Sequence, residues 1–331
     1  HTIQPFSPKA GTGLSTHELN QPGCYKNVKD TSAVAQFQII KDKKSQFLFE
    51  KTNHSIYFLA WTTTPWTLPS NTALAVGNKI IYSLIETVNQ YSGKKNSIII
   101  AKDLLGRFFK EENNSLDFEN YNIGDKNLPY NIVDEFLGEN LVGINYDQLL
   151  KYAQPNNGDA FRVLSGDFVT TEDGTGIVHL APSFGADDNR VAKQNGIGSL
   201  TLVDQQGRFT EEVSDFKGQF VKDEYYGEND EKPKLSADIQ IVIKLKDKGL
   251  LFNSEKYEHS YPHCWRTDKP ILYYPLDSWF VKTTDHKKRM LELNKTINWK
   301  PASTGEGRFG NWLENLVDWN LSRSRFWGVP L

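Results

Sequence analysis

The alternation of hydrophobic and polar positions predicts many short strands. β-prone runs bounded by polar or turn-forming residues occur at four places early in the chain: 33–40, 56–60, 80–85 and 97–101. Residues 235–248 instead carry apolar side chains at helical spacing, and Gly249 follows them as a stop signal. Short strands with few long helices predict a mixed, β-rich α+β fold in which a closed, barrel-like β core carries peripheral helices.

The first stretch with candidate chemistry is 61–71, here called the threonine segment: Trp-Thr-Thr-Thr-Pro-Trp-Thr-Leu-Pro-Ser-Asn. It follows a predicted strand, and its two prolines predict a rigid loop rather than a helix. Its side chains offer neutral donors and acceptors, namely Thr62, Thr63, Thr64, Thr67 and Asn71. Such a surface suits an uncharged polar ligand or a water better than a phosphate or a metal. The alternative is an ordinary threonine-rich strand end.

The second stretch, 173–182, is Asp-Gly-Thr-Gly-Ile-Val-His-Leu-Ala-Pro. Its glycines permit a tight turn, and 177–180 then alternates as a strand that places Ile177 and His179 on one face. A lone histidine at such a position is often a hydrogen-bonded structural residue. Pro182 is expected to end the strand.

A short helix is predicted at 186–192, with Gly196 behind it. Asp187 and Asp188 fall in its first turn, where carboxylates interact favourably with the helix dipole. Their structural interpretation is therefore as helix-start acids, and their functional interpretation is as ligands of a cationic group.

Composition and charge limit the class of protein. The chain has 331 residues, ordinary apolar content and a net charge of -3, which argues against a protein dedicated to coating nucleic acid. No apolar run reaches membrane-spanning length and no signal peptide opens the chain. The two cysteines, Cys24 and Cys264, favour a reducing cytoplasm over a disulfide framework. The sequence does not begin with methionine and Met290 is the only one in it, so we expect a fragment of a longer polypeptide.

The two ends of the chain carry weaker signals. Residues 1–24 are rich in Gly, Pro, Ser and Thr and are predicted to be a linker. The pair His263-Cys264 invites a zinc interpretation, but no Cys-x-x-Cys partner accompanies it, and no metal is expected. Basic and aromatic residues interleave in 282–331, through Lys287-Lys288-Arg289 and Arg323-Ser324-Arg325-Phe326-Trp327, which is compatible with nucleic-acid contact.

The two central stretches resemble the signature motifs of the editing domain of isoleucyl-tRNA synthetase. The matching patterns are Thr-Thr-Pro-Trp-Thr-Leu-Pro in the first, and Gly-Thr-Gly-x-Val-His-x-Ala-Pro followed by Gly-x-Asp-Asp in the second. Leucyl and valyl enzymes carry related threonine motifs, so an editing domain of one of those relatives is an alternative. The resemblance implies hydrolysis of valine wrongly attached to the isoleucine tRNA, and it points to the same barrel-like fold.

The resemblance also implies roles for individual residues. Asp188 would hold the α-amino group of the misattached amino acid, and His179 would line the side-chain pocket and help to exclude isoleucine. No serine or cysteine nucleophile motif is present, so we expect catalysis by positioning of the adenosine, the ester and a water. The predicted catalytic set is Thr62, Thr63, Thr64, Thr67, Asn71 and Asp188. The predicted substrate-binding set is Trp61, His179, Ala181 and Asp187.

The same resemblance divides the chain and suggests its partners. Residues 1–30 would connect from the synthetic domain, 31–255 would form the editing core, and 256–331 would return, the two ends forming a linking ribbon. The partners would be the 3′ end of tRNA(Ile) carrying valine and the rest of the synthetase, in a monomer without membrane attachment. Neither His-x-Gly-His nor Lys-Met-Ser-Lys-Ser occurs. Editing would need no cofactor, and ATP and Mg²⁺ would serve only the full-length enzyme.

Two further functions compete with editing. One is a noncatalytic module that binds the tRNA 3′ end, in which the threonine segment only grips an adenosine. The other is an acid hydrolase with Asp173 and Asp188 as a carboxylate dyad.

Overall fold

The computed structural model describes residues 2–125 and 127–322. It divides into two compact units: the larger is Ile3–Tyr274, and the smaller combines His1–Thr2 with Pro275–Leu331. The strands of the described residues are β1 (Thr2–Ser7), β2 (Thr12–Gly13), β3 (Tyr25–Gln38), β4 (Ile56–Thr62), β5 (Ala73–Val76), β6 (Ile81–Val88), β7 (Lys95–Ala101), β8 (Tyr130–Leu137), β9 (Arg162–Ser165), β10 (Ile177–Leu180), β11 (Leu251–Pro262), β12 (Leu272–Leu276), β13 (Phe280–Val281) and β14 (Trp319–Asn320).

Helices are short and lie between the strands. The α-helices are α1 (Thr16–Leu19), α2 (Gln46–Phe49), α3 (Ala186–Gln194), α4 (Ala237–Asp247), α5 (Lys287–Asn294) and α6 (Gly310–Glu314). The 3₁₀ helices are Pro65–Ser70, Lys102–Arg107, Glu111–Ser115, Phe118–Asn120, Gly138–Leu141, Asp223–Tyr225 and Thr283–His286, and Thr304–Phe309 is a π-helical turn. No helix of the described residues is long and apolar enough to cross a membrane.

A six-stranded sheet with the order β11-β3-β4-β7-β6-β8 forms the main core of the larger unit. One row of side chains runs across four of its strands, with Phe37 opposite Phe58, Phe58 opposite Ile99 and Ile99 opposite Leu84. All four side chains are fully buried. The β-prone runs at 33–40, 56–60, 80–85 and 97–101 are confirmed as strands because their apolar residues fill this core.

A second, three-stranded sheet has the order β10-β5-β9. β5 pairs antiparallel with β10, which places His179 opposite Leu74 and Leu180 opposite Ala73. β5 begins just after the threonine segment, so this pairing brings the two candidate stretches of the sequence together. The strand predicted at 177–180 and the helix predicted at 186–192 are both confirmed, the latter as α3.

The predicted closed barrel is wrong for the described residues, although the mixed α and β composition is confirmed. The six-stranded sheet has β11 and β8 at its edges, and the three-stranded sheet has β10 and β9 at its edges. Neither sheet closes on itself. The length and composition of strands do not determine which strands pair. Here β5 pairs with β9 and β10 and does not join the larger sheet. The linking ribbon predicted from the two chain ends is not confirmed.

The first 24 residues are more ordered than a linker. β1 pairs with β2 through Phe6 opposite Gly13, and a short helix follows. That helix has a capping box, in which the Ser15 hydroxyl accepts the Glu18 N–H while the Glu18 carboxylate accepts the Ser15 N–H. The Ser-x-x-Glu spacing was visible in the sequence and is a known helix-start signal.

The smaller unit carries the C-terminal part of the described chain. Its two-stranded sheet pairs Phe280 with Asn320 and Val281 with Trp319. Lys287, Lys288 and Arg289 lie on α5. The basic and aromatic residues from Arg323 onward lie outside the described residues.

Candidate functional site

The threonine segment leaves β4 at Thr62 and turns directly into the 3₁₀ helix Pro65–Ser70. The expectation of a loop without helix is therefore corrected. Pro65 stands at the start of that helix, where its missing N–H costs no hydrogen bond. The Thr62 hydroxyl accepts the backbone N–H of Thr64 at 3.0 Å, and the Thr67 hydroxyl donates to the Thr64 carbonyl at 2.9 Å. These bonds hold the hydroxyls of Thr62 and Thr67 in fixed directions.

Thr67 also contacts His179, across the junction between the 3₁₀ helix and β10. The Thr67 Oγ1 lies 3.0 Å from the His179 Nε2, and both side chains are buried. Because the Thr67 hydroxyl proton is directed to the Thr64 carbonyl, Nε2 is the donor in this second bond. We therefore assign the imidazole the tautomer with its proton on Nε2.

This tautomer leaves Nδ1 of His179 as a bare acceptor. Nδ1 is buried and has no hydrogen-bond partner within the described protein. Burial lowers the pKa of His179 to about 4, so the ring is neutral at physiological pH. A neutral imidazole with a free lone pair can accept a hydrogen bond, but it cannot offer a positive charge.

Buried polar atoms without a partner concentrate around this contact. Among the described residues seven such side-chain atoms occur, and four of them lie in or beside the threonine segment or on the strand that faces it: Trp66 Nε1, Ser70 Oγ, Thr72 Oγ1 and His179 Nδ1. A buried donor or acceptor without a hydrogen bond lowers the stability of a protein by about 1–3 kcal/mol, so nearly all buried polar groups in proteins are paired. The clustering of these four atoms marks this region as a candidate site.

Asp188 reaches the same neighbourhood from the first turn of α3. Its Oδ2 accepts the backbone N–H of Ala181 at 2.8 Å, directly after β10. Burial raises the pKa of Asp188 to about 6, opposed by the Ala181 amide and aided by the charge of Asp187. The carboxylate is thus held at the end of the strand that carries His179, where it is poorly solvated and suited to bind a cation.

Gly185 makes room for this carboxylate. A Cβ atom at position 185 would lie 2.6 Å from Cγ of Asp188 and 2.8 Å from each of its oxygens. Real Cβ contacts are never this short, so any larger residue would displace the carboxyl group. Gly185 lies within the Gly-x-Asp-Asp pattern, but the pattern does not show that the glycine is there to leave space for the carboxylate.

Asp187 and Ala181 occupy different surroundings. The structure does not bring Asp187 to the threonine segment, because its exposed side chain pairs with Arg190 at 3.1 Å. Arg190 pairs also with Asp167 at 2.8 Å, which makes a small surface network. Ala181 is buried and contributes its backbone N–H to Asp188.

Asn71 is used entirely inside the protein. Its amide nitrogen donates to the Ala73 carbonyl at 2.8 Å and to the Leu180 carbonyl at 3.4 Å. Its amide oxygen accepts the Tyr146 hydroxyl at 2.7 Å, and the side chain is only 1% exposed. The residue thus joins the start of β5 to the end of β10 and fixes where the threonine segment stops.

Trp61 lies apart from the Thr67–His179 contact. Successive side chains of a strand point to opposite faces, so Trp61 faces away from Thr62. Trp61 packs edge-on against Tyr257 with ring centroids 5.0 Å apart, in a cleft of about 220 Å³ that Arg107 and Glu255 also line. Thr63 is partly buried at the end of the strand.

The structure does not assemble the proposed carboxylate dyad. Asp173 is bound by Arg107 and by the Tyr257 hydroxyl, the latter at 3.1 Å. These partners belong to the cleft beside Trp61, whereas Asp188 binds Ala181. In the described part of the chain, no group of three or more His, Cys, Asp or Glu residues is arranged to hold a metal ion.

Comparison with known proteins identifies the class to which this chain belongs. The family model described as tRNA synthetases class I (I, L, M and V) matches residues 1–331, so the chain is a member of that family. It is 59% identical to the isoleucine–tRNA ligase of Cytophaga hutchinsonii, and the match covers 100% of this chain and 31% of that protein. It is 52% identical to the isoleucine–tRNA ligase of Bacteroides fragilis, again covering 100% and 31%.

These relatives confirm the resemblance to isoleucyl-tRNA synthetase stated from the motifs. The chain spans about a third of the length of both relatives. Among solved structures it is similar to the editing domain of the P. knowlesi cytosolic leucyl-tRNA synthetase, with 16% identity and a TM-score of 0.36. That match covers 50% of this chain and 64% of that one.

Proposed function

We propose that this chain hydrolyses valine from misacylated tRNA(Ile), as the editing part of an isoleucyl-tRNA synthetase. The observation that carries the proposal is the placement of the Asp188 carboxylate at the end of β10, beside the contact between Thr67 and His179. An anionic anchor and a set of neutral hydroxyls in one partly buried region fit an ester that carries an ammonium group.

The need for such a reaction follows from the chemistry of the two amino acids. Isoleucine and valine differ by one methylene, which a hydrophobic pocket distinguishes by only about 1–3 kcal/mol, a limit for which isoleucyl-tRNA synthetase is the standard example. A second site can use size in the opposite sense. It admits valine, rejects isoleucine by steric clash and hydrolyses what it admits.

The proposed reaction is an ordinary ester hydrolysis. The oxygen of a water attacks the carbonyl carbon of the aminoacyl ester, the carbonyl oxygen takes up negative charge, and the water gives up the proton that the ribose oxygen later receives. The bond from carbon to the ribose oxygen then breaks, and the ribose oxygen receives a proton. Valine and a tRNA with a free 3′-terminal ribose are released. A second hydroxyl of that ribose can assist the proton transfer.

We assign the residues as follows. The carboxylate of Asp188 holds the α-amino group, a charge-assisted contact that an ordinary ester lacks. Thr62, Thr63 and Thr64 orient the adenosine, the ester and the water by hydrogen bonds. His179 is neutral and lines the pocket for the amino acid side chain, held in place by Thr67. Asn71 does not contact the substrate in this proposal; its internal hydrogen bonds fix the end of the threonine segment.

The broader setting is part of the same proposal. The partners are the 3′ end of tRNA(Ile) and the remainder of a synthetase chain, and the reaction as written uses no cofactor. ATP and Mg²⁺ would serve aminoacylation in the full-length enzyme. We propose residues 1–30 as the connection from the synthetic domain, 31–255 as the editing core and 256–331 as the return.

The test is deacylation of valine-charged against isoleucine-charged tRNA(Ile). We expect the chain to release valine and to spare isoleucine, and we expect Asp188→Ala to lose the valine activity. Asp187→Ala is the matched control, because it removes the neighbouring carboxylate of the same helical turn, which pairs on the surface with Arg190. An Asp188→Ala variant as fast as the parent chain would refute the amine anchor.

The noncatalytic binding module is the second candidate, favoured by the many neutral hydrogen-bonding groups of the threonine segment. It predicts that the chain protects the tRNA 3′ end or binds it without releasing either amino acid. Binding of uncharged tRNA(Ile) with no deacylation of the valine-charged form would favour this function over editing.

A further inference from the structure

A buried ionic cluster lies in the larger unit behind the threonine segment, and none of the roles assigned above uses it. Its charged members are Lys222 and Asp238, each only 6% exposed, together with Asp30. The Lys222 ammonium donates to Asp30 at 2.9 Å and lies over the Tyr261 ring, 4.8 Å from its centroid. His259 Nε2 is 3.2 Å from the same Asp30 oxygen. Charges this deeply buried are expensive unless each has a partner.

Asp238 connects this cluster to the threonine segment. It lies in the first turn of α4, and its Oδ1 accepts the backbone N–H of Trp66 at 2.8 Å. That N–H belongs to the first turn of the 3₁₀ helix Pro65–Ser70, where backbone donors have no partner inside the helix. The next residue is Thr67, whose hydroxyl meets His179. A carboxylate 172 positions away in sequence thus supplies the cap that this helix lacks locally.

Further contacts surround the same backbone. The Trp66 ring is 3% exposed and packs edge-on against Phe184, with centroids 5.1 Å apart. The ring fixes one side of residue 66 and Asp238 fixes its amide. These two contacts therefore hold the backbone that directly precedes Thr67.

We infer that Asp238 is a positioning residue for the editing site: by accepting the Trp66 N–H it fixes the 3₁₀ helix so that the Thr67 hydroxyl meets His179. This inference rests on the proposed function of the site. The positive charge of Lys222 stabilises the buried carboxylate of Asp238. Burial raises the pKa of Asp238 to about 7 against the attraction of Lys222, whereas Asp238 and Asp30 hold the pKa of Lys222 above its ordinary value although burial opposes its charge.

The test compares three variants of the whole chain. Asp238→Ala removes the acceptor, and Asp238→Asn keeps a carbonyl oxygen in its place while Lys222 remains paired with Asp30. Ser236→Ala is the matched control, since the Ser236 hydroxyl accepts the Ile239 N–H at the start of the same helix, whereas Asp238 accepts the Trp66 N–H. Each variant is examined by hydrogen exchange at the Trp66 amide and by the kcat and KM of valine-tRNA(Ile) deacylation.

We expect Asp238→Ala to expose the Trp66 amide to exchange at least about tenfold faster. We expect it also to lower kcat by about 10²-fold, the effect of a displacement near 1 Å, with KM within about twofold. Asp238→Asn should restore both the protection and the kcat to within about threefold of the parent. Ser236→Ala should change neither the Trp66 amide nor kcat.

Three outcomes would overturn the inference. One is unchanged exchange at Trp66 in Asp238→Ala, and another is equal losses of kcat in Asp238→Asn and Asp238→Ala. The third is equal losses in Ser236→Ala and Asp238→Ala, which would mean that any weakening of α4 has the same effect. The exchange measurement needs no catalysis. If the parent chain deacylates nothing while Trp66 responds as expected, the proposed function fails and the capping contact stands.

Discussion

The hydroxyl of Thr67 and the imidazole of His179 meet at 3.0 Å although 112 positions separate them in sequence. One belongs to the 3₁₀ helix of the threonine segment and the other to β10. Because the hydroxyl donates to the Thr64 carbonyl, the contact fixes the ring tautomer as well as the ring position. This hydrogen bond therefore joins the two candidate stretches of the sequence.

Two substitutions at Thr67 distinguish the contribution of its hydroxyl, which bonds His179 and Thr64, from the contribution of its side-chain volume. Thr67→Val keeps the volume but leaves His179 Nε2 and the Thr64 carbonyl without their partner, so we expect a loss of about 1–3 kcal/mol in the free energy of unfolding. Thr67→Ser keeps the hydroxyl and should lose less than about 1 kcal/mol. Urea unfolding at pH 7 measures both. Equal losses in the two variants would show that the methyl group, and not the hydrogen bond, matters.

His179 should make the chain sensitive to acid. The pKa of His179 is lowered to about 4 in the folded chain from an ordinary value of 6.5, so between these values the unfolded chain binds a proton that the folded chain does not. The free energy of unfolding therefore falls as the pH falls from 6.5 towards 4, by on the order of 3 kcal/mol in all. The stabilisation is fully present above pH 6.5.

The variant that tests this linkage is His179→Gln, whose amide can still donate to Thr67 but does not titrate. We expect the parent chain to lose about 2 to 3 kcal/mol more than the variant between pH 7 and pH 4.5, as measured by urea unfolding at both values. All other titrating groups are common to the two chains and cancel in the comparison. Parallel pH profiles would contradict a buried, neutral histidine.

Removing the charge of Asp188 should leave the stability of the chain unchanged or raise it, while deacylation becomes slower. Burial raises its pKa to about 6, so its charge opposes folding above that pH and is required for an amine anchor. Asp188→Asn keeps an oxygen for the Ala181 N–H and removes the charge. We expect a free energy of unfolding at pH 8 equal to or above that of the parent chain, with deacylation at least about thirtyfold slower, from a loss of about 2 kcal/mol.

The pH profile of the parent chain supplies a second check on Asp188. Deacylation should decline as the pH falls through about 6, because the carboxylate takes up a proton. The residual rate of Asp188→Asn should lack this decline. Asp187→Asn, altered at the exposed neighbour, should retain both the rate and the decline to within about twofold. A decline shared by all three chains would have to come from another group.

Gly185→Ala tests the space that Asp188 occupies. The backbone of Gly185 is extended, so alanine is allowed there, but its Cβ would lie 2.6 Å from the Asp188 carboxyl carbon. We expect the carboxylate to leave the Ala181 N–H and deacylation to fall about tenfold or more, with the chain still folded by circular dichroism. The double variant with Asp188→Ala should be no slower than Asp188→Ala alone. Additive losses would mean that position 185 acts by another route.

The sequence predicts those parts of the candidate site that depend only on residues close together in the chain. The strand at 177–180, the helix after Gly185 and the hydroxyls at 62–64 follow from the sequence around them. The pairings do not, because β5 is as apolar as the strands of the larger sheet and nothing in its four residues selects β10. The cap from Asp238 to Trp66 spans 172 positions, and an acid in a first turn has an ordinary local explanation that conceals it. The two prolines predict no helix, but the 3₁₀ helix forms because Pro65 stands at its first position, where no N–H is needed.

Asn71 was predicted to touch the substrate, and its contacts predict a distinct result for stability. Asn71→Ala removes the donor to the Ala73 and Leu180 carbonyls and leaves the Tyr146 hydroxyl without an acceptor in the core. We expect a loss of about 3 kcal/mol in the free energy of unfolding, the sum of one such buried unpaired group and the bonds removed.

Tyr146→Phe isolates one arm of this network and should cost about 1–2 kcal/mol. The double variant should cost less than the sum of the single variants, because Asn71→Ala already removes the partner of the Tyr146 hydroxyl. Deacylation separates the two roles of Asn71. A positioning residue lowers activity in both Asn71→Ala and Tyr146→Phe, since both loosen the end of the threonine segment. A loss confined to Asn71→Ala, with Tyr146→Phe fully active, would instead support direct contact between Asn71 and the substrate.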